Sequence, residues 1–189
     1  TGPIYTDYEL NFLVADYRGY GKSTGTPTVS AMLADAHTIF DHVMDWMHRE
    51  SRTGPLWLMG RSLGSASAIE LASARPDAIA GLIVESGFAD TLELIRYLGL
   101  EPEALGIDEG GVFSNLEKIG NYGGPTLIMH AQYDHIIPLD HGKALYENSP
   151  AALKDLYIVD NANHNTIMMM AGHGYFRQIR DFIAQSGQG

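Results

Sequence analysis

The 189-residue chain contains no cysteine, which excludes a disulfide framework, a thiolate metal site and a thiol nucleophile. Basic residues are scarce: 12 lysines and arginines stand against 23 aspartates and glutamates, a formal net charge of -11. Nucleic-acid binding rests on clustered cations that release counterions from phosphate, so this balance argues against such a partner. No apolar run approaches the roughly eighteen residues that a membrane-spanning helix needs, and Thr1-Gly2-Pro3 opens neither a basic nor an apolar signal region. The first residue is not methionine, so an upstream segment is expected. A cytoplasmic setting is the simplest expectation. With 45% hydrophobic residues, residues 1–189 fit a single domain able to bury a sizeable core.

The most informative stretch is Leu56-Trp57-Leu58-Met59 followed by Gly60-Arg61-Ser62-Leu63-Gly64 and a run of small residues. It reads as a buried strand that turns sharply at a serine and continues as a helix. Such a turn forces Ser62 into a strained backbone conformation, and the expectation is that Gly60 and Gly64 relieve crowding on either side. The helix N-terminus would aim partial positive charge at the serine.

Around this elbow the pattern alternates. Residues 11–15 read as a buried strand closed by the loop Asp16 to Ser23, and Ser30 reads as the N-cap of an amphipathic helix reaching about Glu50. Strands are expected at 56–59, 80–85, 126–130 and 155–159, about five in all. Helices are expected up to Ala74, from Asp90 to Leu98, from Leu139 to Asn148 and from His173 to Gln185. This is an α/β pattern, a mostly parallel sheet with helices on both faces and right-handed crossovers. Residues 86–124, between the third and fourth strands, are irregular and read as a short cap-like insertion over the site. His37, Asp41, Asp45 and His48 lie on one helix but lack a compact ligand motif, and they read as a solvated face; no metal is implied.

In a parallel sheet the functional loops gather at the carboxyl ends of the strands. Ser62, Asp134 and His164 each follow a different strand, so all three should meet at one edge. A serine hydroxyl needs a positioned base to become a nucleophile, a role for His164, and the imidazole needs an anionic partner, a role for Asp134. Glu85 is a weaker candidate for the acid, and His130, His135 and His173 for the base, because only Asp134 and His164 sit in suitably placed loops.

With these motifs the sequence resembles the α/β-hydrolase superfamily, and within it the small serine hydrolases with an Asp-x-Arg-Gly-x-Gly-x-Ser loop, here Asp16 to Ser23. The Bem46-like and depalmitoylase-like branch is most similar. The resemblance spans nearly the whole chain. It implies a serine hydrolase cleaving carboxylic esters or thioesters through an acyl-enzyme: Ser62 attacks, His164 shuttles the proton, Asp134 orients it, and the Leu63 N–H contributes to an oxyanion hole. No cofactor or metal is implied, and the implied partner is a small ester or acyl substrate. Phe88 and Ile136 are expected to line an acyl pocket. Family members begin with further strands, one ending in a His-Gly loop that donates a second oxyanion N–H, and nothing here matches them. Loss of one such donor costs about 10²- to 10³-fold in turnover. A peptidase or amidase is a close variant, and a truncated or non-catalytic binding domain is the alternative from another class.

Overall fold

Four short strands pair in chain order into one parallel sheet: β1 (Trp57–Arg61), β2 (Gly81–Glu85), β3 (Thr126–Ala131) and β4 (Lys154–Val159). The computed structural model from which this is read describes residues 2–101 and 113–187. The two central strands, Gly-Leu-Ile-Val-Glu and Thr-Leu-Ile-Met-His-Ala, are buried along their whole length, which is why they are mostly apolar on both faces rather than alternating.

Successive residues of these strands serve opposite faces. Leu82, Val84 and Ile128 join Phe40, Ile69, Ile119 and Leu145 in one core. That layer is built by α2 (Val29–Arg49), α3 (Gly64–Ala74), α5 (Asn115–Gly120) and α6 (Leu139–Asn148). Ile83, Leu127, Met129 and Val159 join Tyr5, Ile167, Tyr175, Phe176 and Phe182 in the other core. Its helices are α1 (Gly2–Thr6), α7 (Ile167–Ala171) and α8 (His173–Ser186). The expected two-faced α/β architecture is therefore present. The slender α3 lies against β1 and β2 because its inner surface is Ser65, Ala66, Ala68 and Ala72, side chains small enough for close packing.

Three expectations need correction. Residues 11–15 are irregular, and Phe12, Leu13 and Val14 are 40%, 52% and 76% exposed. The described sheet thus has four strands, not five: a pentapeptide with no ladder partner gains no strand from its apolar content alone. The cap of α2 is Thr28, whose hydroxyl accepts the Ala31 N–H at 3.1 Å from an extended backbone, while Ser30 lies inside the first turn. In the irregular stretch, α4 (Thr91–Tyr97) begins at the Asp90 cap as expected. However, α5, with Ile119 and Tyr122, belongs to the body of the core rather than to a cap. Residues 102–112 of the expected insertion lie outside the described residues.

Candidate active site

Ser62 is the first residue beyond β1, and it holds φ at 52°, a left-handed conformation that costs an L-residue roughly 1–3 kcal/mol. Its neighbours over-determine that strain. The Ser62 N–H donates to the Glu85 carbonyl at 2.9 Å, and its own carbonyl accepts the Ser65 N–H at 2.9 Å as α3 begins. A Cβ on Gly60 would lie 2.5 Å from the Gly64 carbonyl oxygen and 2.7 Å from the Ser65 Cα, so only glycine lets strand and helix approach this closely. Gly64 differs from the expectation: a Cβ there would meet nothing within 4 Å, so crowding governs one side of the elbow only.

His164 follows β4 on a turn knitted by Asn163 and Thr166, in which Oγ1 of Thr166 accepts the Asn163 N–H and Oδ1 of Asn163 accepts the Asn165 N–H. Its ring is 4% exposed, with Nε2 3.0 Å from Ser62 Oγ and Nδ1 2.8 Å from Asp134 Oδ2. An ionised carboxylate only accepts, so Nδ1 carries the proton and Nε2 is left to accept from the serine hydroxyl. Asp134 lies in the loop after β3, and its Oδ1 also accepts the backbone N–H groups of Ile136 and Ile137 at 3.0 and 2.9 Å. Burial by itself would raise this carboxyl, but the bonds from His164 and from the Ile137 and Ile136 amides outweigh it and hold Asp134 at about 2. The serine, histidine and aspartate singled out in the sequence are thus one hydrogen-bonded chain, the arrangement that lets an imidazole take a hydroxyl proton while a carboxylate stabilises the resulting charge.

The other residues fall in different places. Leu63 sits at the start of α3, 52% exposed, and its N–H has no partner among the described residues. Phe88 is 2% exposed and packs edge-on against Phe113 with ring centroids 5.6 Å apart. Together with Met32, Ala66 and Ile137 it forms a small third cluster, with Ile136 half-buried at its margin. Phe88 is therefore a wall behind the site rather than a free surface in it. Glu85 pairs with Arg61 Nε at 3.0 Å and accepts the Tyr175 hydroxyl; it does not reach His164. His135 is exposed and His173 pairs with Tyr8. On α2, His37 pairs with Glu70 and Asp41 with Arg75. Among the described residues no group of three or more His, Asp or Glu side chains is placed to hold a metal. No described helix is long and apolar enough to cross a membrane.

Two contributors were not foreseen. His130, fully buried, donates Nε2–H to the Ile137 carbonyl at 2.9 Å and so braces the loop that carries Asp134; burial pushes its basicity down. Its Nδ1 faces Gly142, where a Cβ would come within 2.5 Å. Arg61 reaches past Glu85 to the carbonyl oxygen of His164 at 2.6 Å. For Arg61, the available signal was a pair of opposite charges, Arg61 and Glu85, each directly before a serine at a strand end.

Comparison with known proteins agrees with this picture. A family model described as "Serine aminopeptidase, S33" matches residues 6–98. The chain is 28% identical over 187 residues to an uncharacterised membrane protein of Saccharomyces cerevisiae, covering 97% of this chain and 64% of that protein. It is likewise 28% identical over 187 residues to the protein bem46 of Schizosaccharomyces pombe, covering 97% and 60%. The chain therefore spans about three fifths of the length of these relatives. Among solved structures, a monoacylglycerol lipase of Paleococcus ferrophilus superposes with a TM-score of 0.69 at 20% identity, covering 90% of this chain and 82% of that one. A four-stranded parallel sheet with helices on both faces, a serine at the strand-to-helix elbow and these likenesses agree: the chain has the fold of the α/β hydrolases and is similar in sequence to bem46 and its relatives.

Proposed function

We propose that this chain is a serine hydrolase that cleaves carboxylic ester or thioester bonds through an acyl-enzyme. The observation that carries the reading is the continuous path from Ser62 Oγ to His164 Nε2 at 3.0 Å and from His164 Nδ1 to Asp134 at 2.8 Å. In the forward step Ser62 Oγ attacks the carbonyl carbon as its proton passes to Nε2. The tetrahedral oxyanion forms beside the free Leu63 N–H at the start of α3, and the imidazolium returns the proton to the leaving alcohol or thiol. Water then attacks the acyl-serine with His164 again as the base, releasing the acid and restoring Ser62. Apolar side chains at the same sheet edge support an acyl substrate: Leu63, Tyr133 and Met169 are 52%, 62% and 71% exposed.

The description of the matching family favours an aminopeptidase as the second reading, since the elbow and its partners serve amides by the same steps. Both readings require an activated serine. Hydrolysis of p-nitrophenyl acetate and butyrate is measured against Ser62→Ala, with mass spectrometry for an acyl adduct and an amino acid p-nitroanilide as the amide probe. Turnover above the variant with an adduct on Ser62 supports the hydrolase. Identical rates in two folded proteins would sink it and leave a ligand-binding domain as the account.

A further inference from the structure

Arg61 occupies the second position of the elbow pentapeptide, yet its side chain turns away from α3. Residues 57, 59 and 61 of β1 face the layer of α8, as do 83 and 85 of β2, and the parallel register sets Arg61 directly beside Glu85. Glu85 is 4% exposed, and both its oxygens are engaged: Oε1 accepts Arg61 Nε at 3.0 Å and Oε2 accepts the Tyr175 hydroxyl. Tyr175 in turn lies 3.4 Å from the Tyr5 hydroxyl, so the carboxylate is anchored in the core between sheet and α8. Anchored at Nε, the planar guanidinium has limited freedom at its far edge. Nη2 there donates to the backbone carbonyl of His164 at 2.6 Å, with Asn165 Oδ1 3.5 Å away.

We infer that Arg61 and Glu85 form a clamp that positions His164, fixing the distance of its imidazole from Ser62. The inference rests on the hydrolase reading above for its kinetic consequence, though not for its geometry. The backbone bonds of the His164 turn run within residues 159–170 and to Gln132 and Tyr133, on the β3 side. Arg61 ties that turn to β1, the strand that carries the serine. Serine and histidine come from opposite edges of the sheet, and Arg61 is bonded to the backbone of one while adjacent in sequence to the other. The pairing with Glu85 has an electrostatic purpose as well. A lone cation beside His164 would oppose formation of an imidazolium, and a buried carboxylate 3.0 Å away offsets it.

Arg61→Met, Arg61→Lys and Glu85→Gln are compared with the wild-type 189-residue chain on neutral p-nitrophenyl acetate, with thermal melts. The downfield Nδ1 proton resonance of His164 is recorded by NMR without substrate. The clamp requires kcat of Arg61→Met to fall about 10- to 100-fold with KM within about threefold, because a misplacement near 1 Å costs on the order of 10²-fold. Arg61→Lys should regain part of the loss, since one ammonium can meet the carboxylate or the carbonyl but cannot bridge both as the guanidinium does. The His164 resonance should broaden in Arg61→Met. Wild-type kcat and a sharp resonance in that variant would overturn the clamp, as would a raised KM at unchanged kcat, which would make Arg61 a substrate-binding group. Should Arg61→Met fail to fold, Glu85→Gln, which keeps the guanidinium and removes its charged anchor, is read by the same criteria. If wild type and Ser62→Ala prove equally inactive, the hydrolase reading falls, while the resonance alone still decides the clamp.

Discussion

Replacing Asp134 by asparagine tests the electrostatics of the site at one atom. Oδ1 of Asp134 accepts two backbone N–H groups, from Ile136 and Ile137, at 3.0 and 2.9 Å. In Asp134→Asn the amide oxygen must keep that place, because an NH₂ group there would face two donors, and the NH₂ is then turned toward His164 Nδ1. Nδ1 lies 2.8 Å from that NH₂ and 3.0 Å from the amide oxygen, so the shorter contact makes it an acceptor, the ring proton moves to Nε2, and Nε2 can no longer take a proton from Ser62. The expected loss in kcat on p-nitrophenyl acetate is about 10⁴-fold, the scale seen where a serine hydrolase holds the wrong histidine tautomer. The fold should survive at a moderate loss. Holding the carboxyl at about 2 rather than at its ordinary 3.8 favours the folded state by about 2 kcal/mol at neutral pH, and losing that lowers Tm by about 4–8 °C in a chain of this size. Stopped-time ester hydrolysis with circular dichroism melts on the same samples reads both effects. A folded Asp134→Asn retaining more than a tenth of wild-type kcat would refute the tautomer argument.

The same carboxylate gives a pH dependence with a definite sign. Its folded value lies below its unfolded one, so its contribution is fully present above about pH 4 and fades as pH falls toward about 2. Urea titrations should therefore show the gap between wild type and Asp134→Asn closing across that window, and a gap constant from neutral pH to pH 2.5 would contradict it. The elbow supplies a steric contrast. Gly60→Ala places a Cβ 2.5 Å from a backbone carbonyl and 2.8 Å from the Ala68 Cβ and should cost about 3 kcal/mol. Gly64→Ala meets open space inside a helix and should be neutral or stabilising by up to about 1 kcal/mol. Equal melting temperatures for the two variants would show that the elbow is not limited by this contact.

What could be seen in the sequence divides along physical lines. The central strands were legible because a strand covered on both faces can carry few polar side chains, and β2 and β3 are apolar apart from Glu85, Thr126 and His130. Ser62, Asp134 and His164 were legible because each stands just past such a run, where a parallel sheet collects its loops. Residues 11–15 carry the same apolar signal and are not a strand, since a ladder depends on a neighbour that composition does not reveal. The short α5 and α7 escaped notice because one or two turns offer too few repeats for a helical period. Arg61 and its acid partner Glu85 both stand at strand ends, but the bond from Arg61 to the His164 carbonyl crosses more than a hundred residues of sequence. His130 stood only as a weaker candidate for the base, and its brace on the acid loop depends on one carbonyl orientation that no pattern of residue types encodes.

The arrangement of the site follows from the sheet more than from the side chains in it. At the carboxyl edge each strand hands a hydrogen bond to the next: the Ser62 N–H to the Glu85 carbonyl at 2.9 Å, the Ser86 N–H to the Met129 carbonyl at 2.8 Å and the Gln132 N–H to the Val159 carbonyl at 3.1 Å. These are the first steps beyond the registers Arg61 with Glu85, Glu85 with Met129 and Ala131 with Val159. Ser62 and Ser86 even leave their strands in the same left-handed conformation, at φ 52° and 44°. The serine, the acid loop and the histidine loop therefore start from heights fixed by one continuous ladder, and a slip of one residue in any strand would displace its loop by about 3.3 Å and break a contact of 3.0 Å or less. Side chains such as Arg61 and His130 need only correct what remains after the ladder has set the coarse geometry. The strain at Ser62 persists because strand, helix and ladder all hold the same residue, and relieving it would require all three to move.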